Sequence, residues 1–230
     1  MKALVVHGAG DLRIDETDIG EPGEGQVLVR MTHGGICGSD LHYYRHGAVG
    51  AFTLREPLVL GHEVVGVVDL DPSGSLAAGT PVAIHPATPC TRCPECLAGY
   101  RNVCRHARYF GSAASMPHTQ GGFSEFMVVR DDQLRRLPEG LPLSRAVLAE
   151  PLAVGMHALR RAGGVAGAKV LIKAGAIDYL AKPFAPEELL HAVARCAERY
   201  QLVRENATLR ARVVAPYQLD QIIGESPKIL

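Results

Sequence analysis

Over the first 140 residues the apolar positions come in short runs, at 3–6, 26–31, 63–70, 80–84 and 123–129. Runs of that length between turn signals predict strands. The breaks are of the Pro/Gly kind, as in Glu21-Pro-Gly-Glu-Gly25 and Asp71-Pro-Ser-Gly74. Gly8-Ala-Gly10 follows the first run and predicts a hairpin turn. From 143 to 162 the period changes. Ala146, Leu148, Ala149, Leu152, Ala153, Met156 and Leu159 suit helical turns, with Pro151 predicted to kink or break them. Gly163-Gly-Val-Ala-Gly167 should end that stretch, and Lys169-Val-Leu-Ile172 and Ile177-Asp-Tyr-Leu180 predict two more strands. Phe184-Ala-Pro-Glu-Glu188 then reads as a helix start, with Pro early and acids in the first turn. Leu189, Val193, Cys196, Tyr200, Val203 and Ala207 continue it as a heptad-like stripe. The stripe suits a helix packed on its own domain, or a short coiled coil that would make a homo-oligomer.

Composition narrows the function classes. The 230 residues suffice for one large domain or two modest ones, and 47% hydrophobic with 21% charged residues is a globular balance. Lys+Arg and Asp+Glu both number 24, so the net charge is zero, which argues against a mainly electrostatic partner such as nucleic acid or a membrane surface. No apolar run approaches the roughly 18 residues of a spanning helix. Met1-Lys-Ala-Leu-Val-Val-His7 meets charge and Gly before a signal-peptide core can form. A cytoplasmic protein is the expectation, and clustered cysteines in a reducing compartment bind metal more often than they pair.

Four of the six cysteines form such a cluster. Cys90-Thr-Arg-Cys93-Pro-Glu-Cys96 is followed after seven residues by Cys104. Two-residue spacers let a tight turn present successive thiolates to one ion, Pro94 stiffens the turn, and the longer spacer brings the fourth ligand back. Four thiolates close a tetrahedral structural zinc site with no open position, so this lobe shapes a loop and does no chemistry. A redox dithiol is the alternative.

A different grammar occupies two other segments. Ile36-Cys-Gly-Ser-Asp-Leu-His42 places a thiol, a hydroxyl and an imidazole on a turn entering a short helix. Gly61-His-Glu63 interrupts an apolar stretch, where a His-Glu pair is costly unless satisfied. Each His alone reads as a hydrogen-bonded core residue. With Cys37 they suggest a catalytic zinc that keeps one position for water or alcohol. Glu150 is another acid in apolar sequence, able to ligate the metal or hold its water.

In this order the strings resemble the zinc-dependent medium-chain dehydrogenases, within them the polyol and sugar-acid dehydrogenases. Ile36-Cys-Gly-Ser-Asp-Leu-His-Tyr-Tyr44, Gly111-Ser-Ala-Ala-Ser-Met-Pro-His-Thr-Gln-Gly-Gly-Phe123 and residues 148–163 carry the likeness, which runs from residue 1 to about 172. The resemblance implies a mostly β, GroES-like catalytic domain over 1–167 with a zinc lobe. It implies Cys37 and His62 as zinc ligands, Glu63 as third or exchangeable ligand, and Glu150 as ligand or water-holding neighbour. Asp40 would orient His62 from behind. Ser39 would take the proton of a zinc-activated secondary alcohol and His42 would carry it toward solvent. Zinc at two sites, NAD or NADP as hydride acceptor, and a small polyol or sugar-acid substrate follow from the same likeness.

The cofactor half is where the pattern departs. A Gly-rich turn should follow residues 169–172. The string there is Lys173-Ala-Gly-Ala-Ile-Asp178, with no G-x-G-x-x-G, and near Gly8-Ala-Gly10 Arg13 stands where a third Gly belongs. Residues 168–172 thus read as the first strand of a truncated Rossmann domain, with no intact NAD(P) site, and the expected consequence is an inactive enzyme. Lys173-Ala-Gly-Ala-Ile-Asp-Tyr-Leu-Ala-Lys-Pro-Phe184 resembles the end of a response-regulator receiver domain, whose Lys (Lys182) meets a phosphoryl group and whose aromatic (Tyr179) switches rotamer. By that likeness 173–215 is a receiver end and linker helix. Residues 216–230, with Ile222-Ile-Gly-Glu-Ser-Pro-Lys-Ile229, resemble the start of the ATPase domain in NtrC-type regulators. A chimera joined near 172–175, a non-catalytic zinc-binding fusion with a response-regulator-derived helical tail, is therefore the alternative to the dehydrogenase. A signalling protein is the weakest reading, since neither an acceptor Asp nor a phosphate loop is present.

Overall fold

Four consecutive apolar residues, Ala3, Leu4, Val5 and Val6, make β1 (Lys2–Gly8) a strand buried on both faces. It turns back through Gly10, at φ +78°, into β2 (Asp11–Glu16), with Lys2 opposite Glu16 and Val6 opposite Leu12. The predicted hairpin is there. The computed structural model describes residues 1–163 and 178–181, with positions 205 and 209. The strand expected at 169–172, the junction at 172–175 and the heptad-like stripe from Leu189 lie outside the described residues.

The chain continues through β3 (Gln26–Ile36), α1 (Gly38–His46), β4 (Ala48–Val49), β5 (Phe52–Thr53), β6 (Leu58–Val59) and β7 (Glu63–Leu70). Next come β8 (Pro81–Ile84), β9 (Ala87–Thr88), α2 (Pro94–Leu97), β10 (Arg108–Tyr109), β11 (Phe126–Arg130) and β12 (Leu134–Arg136). The short helix α3 (Leu143–Ala146), α4 (Ala149–Ala162) and β13 (Asp178–Ala181) follow. Among the described residues a six-stranded sheet runs β11-β3-β7-β8-β12 with β13 also on β3, and a smaller sheet runs β2-β1-β6. Among the described residues all strand pairings are antiparallel.

The core lies between these sheets. Leu4, Val6, Val29, Leu58, Leu60 and Val82 are each at most 1% exposed and belong to one cluster. Burial of side chains of this size is worth about 1.5–3 kcal/mol each. β7 sits between β3 and β8, which is why its sequence is a near-continuous apolar run. This architecture is mostly β, as expected for the first part of the chain.

Three expectations are corrected. The strand expected over 26–31 extends to Ile36 through Gly34 and Gly35, because β7 on one edge and β13 on the other hydrogen-bond that end. The strand expected over 123–129 begins at Phe126. The helical region does not break at Pro151. It breaks at Val147 and Leu148, and Pro151 sits in the first turn of α4, where a missing N–H costs nothing. Gly163, at φ +62°, ends α4 as expected. Leu152, Val154 and Met156 of α4 are exposed. The strand expected at 177–180 is present one residue later as β13, with Asp178 opposite Ile36 and Ala181 opposite His33.

Candidate functional site

The cysteine lobe is built by turns. Cys93 precedes α2 and Pro94 occupies its first position, as an N-terminal Pro should. The Sγ atoms of Cys90, Cys93, Cys96 and Cys104 lie within 4.8 Å of one another, and that of Cys93 is 3.7 Å from that of Cys104. Tetrahedral zinc with Zn–S of about 2.3 Å requires sulfur–sulfur edges of roughly 3.8 Å, so this spacing fits a closed four-thiolate site. All four are free thiols. Without an ion they compete for protons. Backbone N–H groups of Arg92 and Cys93 hold Cys90 down to about 6, whereas Cys93, despite a Cys96 amide that pulls it down, is pushed up to about 12 by burial and its neighbours Cys96, Glu95 and Cys90. The cluster packs on little besides its own sulfurs. Leu97 and Tyr100 are 76% and 63% exposed, so apolar burial contributes little to holding the lobe.

The second centre is assembled from two segments. β3 ends at Ile36 and delivers Cys37 as the residue preceding α1; β6 leads through Gly61 to His62 and Glu63, the start of β7. Asp40 ties the two together. One of its oxygens accepts the Cys37 amide at 2.8 Å, the return half of a capping box, and the other accepts the Gly61 amide at 3.1 Å. The segment 111–123 clamps the second piece from outside: Gln120 Oε1 accepts the Val59 amide at 2.6 Å, and the amides of Gly122 and Phe123 donate to Gly61 and Leu60. Cys37, His62 and Glu63 thereby offer three ligand atoms within 4.8 Å of one another.

The electrostatics of that trio call for a cation. His62 Nδ1 and Glu63 Oε2 are buried with no hydrogen-bond partner, and Glu63 is 2% exposed. An orphaned buried carboxylate oxygen beside a thiol and an imidazole is costly, and a divalent ion bound by this Cys/His/Glu set would relieve that cost. Burial pulls the His62 imidazole down, but the hydrogen bond with Cys37 and the charges of Asp40, Cys37 and Glu63 outweigh it and raise it to about 9. Burial raises Glu63 to about 7, against the pull of His62 and with the help of Glu150 and Asp40. Burial also raises Asp40. Asp40 lies 4.0 Å from His62 Nδ1, close enough for charge–charge attraction but too far for a hydrogen bond. It orients the backbone on both sides of the centre more directly than it orients the ring.

The other expected residues fall as follows. Ser39 and His42 are on α1, half-buried, in the two turns after Cys37, and the His42 ring lies 5.7 Å from that of His46. Glu150, in the first turn of α4, does not share the 4.8 Å grouping. Its Oε1 accepts a hydrogen bond from the Tyr109 hydroxyl at 2.7 Å. The Tyr109 ring meets His62 edge-on, with centroids 5.3 Å apart. Burial, then the bond to Glu150 and the negative charges of Glu150, Cys37 and Glu63, push this phenol far above its ordinary range, so it stays a donor. Tyr109 was not among the residues singled out in the sequence. Its signal is faint: β10 has two residues, and Phe110 beyond it is core while Tyr109 is half-buried, the alternation of a strand.

Residues 23–139 match the alcohol dehydrogenase GroES-like domain. The chain belongs to this family. Cys37, His62, Glu63 and the four-cysteine lobe all fall inside the matched stretch. The chain is 42% identical over 171 residues to L-idonate 5-dehydrogenase (NAD(P)(+)) of Escherichia coli, covering 74% of this chain and 50% of that protein. It is 36% identical to sorbitol dehydrogenase of Bos taurus over 98% of this chain and 62% of that protein. The chain thus spans between half and two thirds of the length of these relatives. The crystal structure of the E. coli L-idonate 5-dehydrogenase superposes on 70% of this chain and 46% of its own with a TM-score of 0.68. The GroES-like family is zinc-dependent, and the two clusters of this member have the donors for that ion. No helix among the described residues is long and apolar enough to cross a membrane.

Proposed function

We propose that this GroES-like chain supplies the metal-activated alcohol site of a polyol or sugar-acid dehydrogenase that oxidises a secondary alcohol with NAD or NADP. The observation that carries the reading is the convergence of Cys37, His62 and Glu63, with the buried Glu63 Oε2 left unpartnered. The relatives named for L-idonate and sorbitol support the substrate class. Cys37, His62 and Glu63 would hold the catalytic zinc, and Cys90, Cys93, Cys96 and Cys104 the structural one. A zinc ion at the first centre supplies Lewis acidity, which makes the proton of a bound alcohol easier to remove. Ser39, two residues from Cys37, accepts that proton, and His42, one turn along α1, passes it toward solvent. Asp40 fixes the spacing of the two ligand-bearing segments. Glu150 neighbours the centre as a carboxylate acceptor.

A second reading, a zinc-binding module fused to a response-regulator-derived tail, rests on the string from Lys173 to Phe184. Two observations favour the dehydrogenase. The likeness to bovine sorbitol dehydrogenase runs through 98% of the chain, and Tyr179, the residue read as a receiver switch, lies on a strand paired with β3 of the catalytic sheet.

The test replaces zinc by cobalt(II) and titrates L-idonate and sorbitol. The expected result is a change in the cobalt absorption that the Cys37→Ser protein lacks. Failure of both polyols to perturb the spectrum would refute the alcohol site.

A further inference from the structure

Tyr109 touches the centre without belonging to the ligand set. Its backbone is fixed by β10, where it pairs with Ala87 of β9, and by Phe110, which is buried in the core. The ring edge rests against His62. Its hydroxyl donates to the Glu150 carboxylate at 2.7 Å. Glu150 stands in the first turn of α4, close enough to Glu63 for its charge to be felt there, yet outside the grouping of Cys37, His62 and Glu63. A zinc centre that does chemistry needs three protein ligands and one open position. A second carboxylate free to move in would fill that position.

Resting on the dehydrogenase reading, we propose that Tyr109 is a positioning residue whose hydroxyl holds the Glu150 carboxylate out of the metal's ligand set, keeping one position free for water or a small alcohol. The phenol is suited to this. It is a rigid neutral donor that cannot itself rotate away from His62 without losing the ring contact, and its bond to a charged acceptor is of the stronger kind. Glu63, by contrast, has no donor holding its Oε2. Of the two neighbouring acids, one is therefore tethered and the other is left to the ion.

The test uses the full chain loaded with cobalt(II), each spectrum taken as the difference from the Cys37→Ser protein, which keeps only the four-cysteine ion. Tyr109→Phe keeps the ring and removes the tether. Its expected signature is a changed ligand-field spectrum without sorbitol, tighter retention of cobalt against a chelator, and a sorbitol response weakened roughly ten-fold or more. Adding Glu150→Gln should restore the original spectrum and chelator resistance, which a merely structural role for Tyr109 would not allow. An unchanged Tyr109→Phe spectrum, or a double variant that is not restored, overturns the proposal. If cobalt behaves as expected in all variants but sorbitol perturbs none of them, the tether stands and the alcohol reading fails. A wild-type protein that takes up no cobalt at Cys37 overturns both.

Discussion

Asp40 accepts the amide of Gly61 at 3.1 Å across 21 residues of chain, while its other oxygen caps α1 at Cys37. One carboxylate thus sets the distance between the two peptides that carry Cys37 and His62. Replacing Asp40 with Asn turns one acceptor into a donor that faces a backbone N–H. The expected cost is about 1–3 kcal/mol in a denaturant melt, the range for a buried hydrogen bond lost. Zinc affinity at the Cys37 centre should fall about 10–100-fold in a chelator competition, with the four-cysteine ion retained. Equal loss at both centres would show general unfolding instead.

The lobe makes a contrasting case. With so little apolar burial around Cys93, Cys96 and Cys104, a zinc ion bound there would be what holds the loop between Cys90 and Cys104. Cys93→Ser should release one zinc equivalent by elemental analysis and open that loop to limited proteolysis, since a structural zinc site and its local fold form together. The core around Leu58 and Val82 is a cluster separate from the cysteines and should keep its melting transition. Unchanged metal content would refute the assignment.

The grouping of the lobe was legible because its four thiols fall within fifteen residues, so spacing alone constrains their geometry. Cys37, His62 and Glu63 were legible as chemistry, an imidazole and two acids or thiols in apolar surroundings, although 25 residues separate the segments. What no local pattern carried was the role of Tyr109. Its bond spans 41 residues to Glu150 and starts from a two-residue strand, too short for any periodicity to register. The same shortness hid β4, β5 and β9. The strand expected over 26–31 stops short of Gly34 and Gly35, where cross-strand pairing overrides the low strand propensity of glycine. Gly35 has its own reason: a Cβ there would lie 2.2 Å from Glu63 Oε2, so only Gly leaves room for that carboxylate.

Metal uptake at the Cys37 centre should strengthen with pH. Glu63 is raised from 4.5 to about 7, and His62 from 6.5 to about 9. Both values lie above those of the unfolded chain, so the stability they give the metal-free protein is present at low pH and lost as pH rises through about 7 and then about 9. The ion needs both groups deprotonated, so its binding releases protons below those values. The rise in Tm on adding zinc should therefore grow from pH 5 to pH 9. A shift independent of pH across that window, measured on the Cys93→Ser protein to isolate this centre, would contradict the assignment of His62 and Glu63 as ligands.

Gly61 is constrained twice. Its φ of +94° is a conformation that L side chains rarely adopt, and a Cβ would stand 2.3 Å from Phe123 Cδ1. The Phe123 ring also lies close to Gly34, between β3 and the peptide that presents His62. Gly61→Ala should cost about 1–3 kcal/mol from backbone strain alone, with an overpacking penalty of similar size unless the ring moves. Adding Phe123→Leu removes the ring but leaves the backbone strain, so the double variant should recover part of the loss. Because the displaced peptide carries His62, zinc affinity at the Cys37 centre should fall in Gly61→Ala by more than the melt alone explains, and recover with the second substitution. Calorimetric melts paired with chelator titration separate the two contributions: stability lost with affinity intact would mean that the peptide moves without carrying the imidazole.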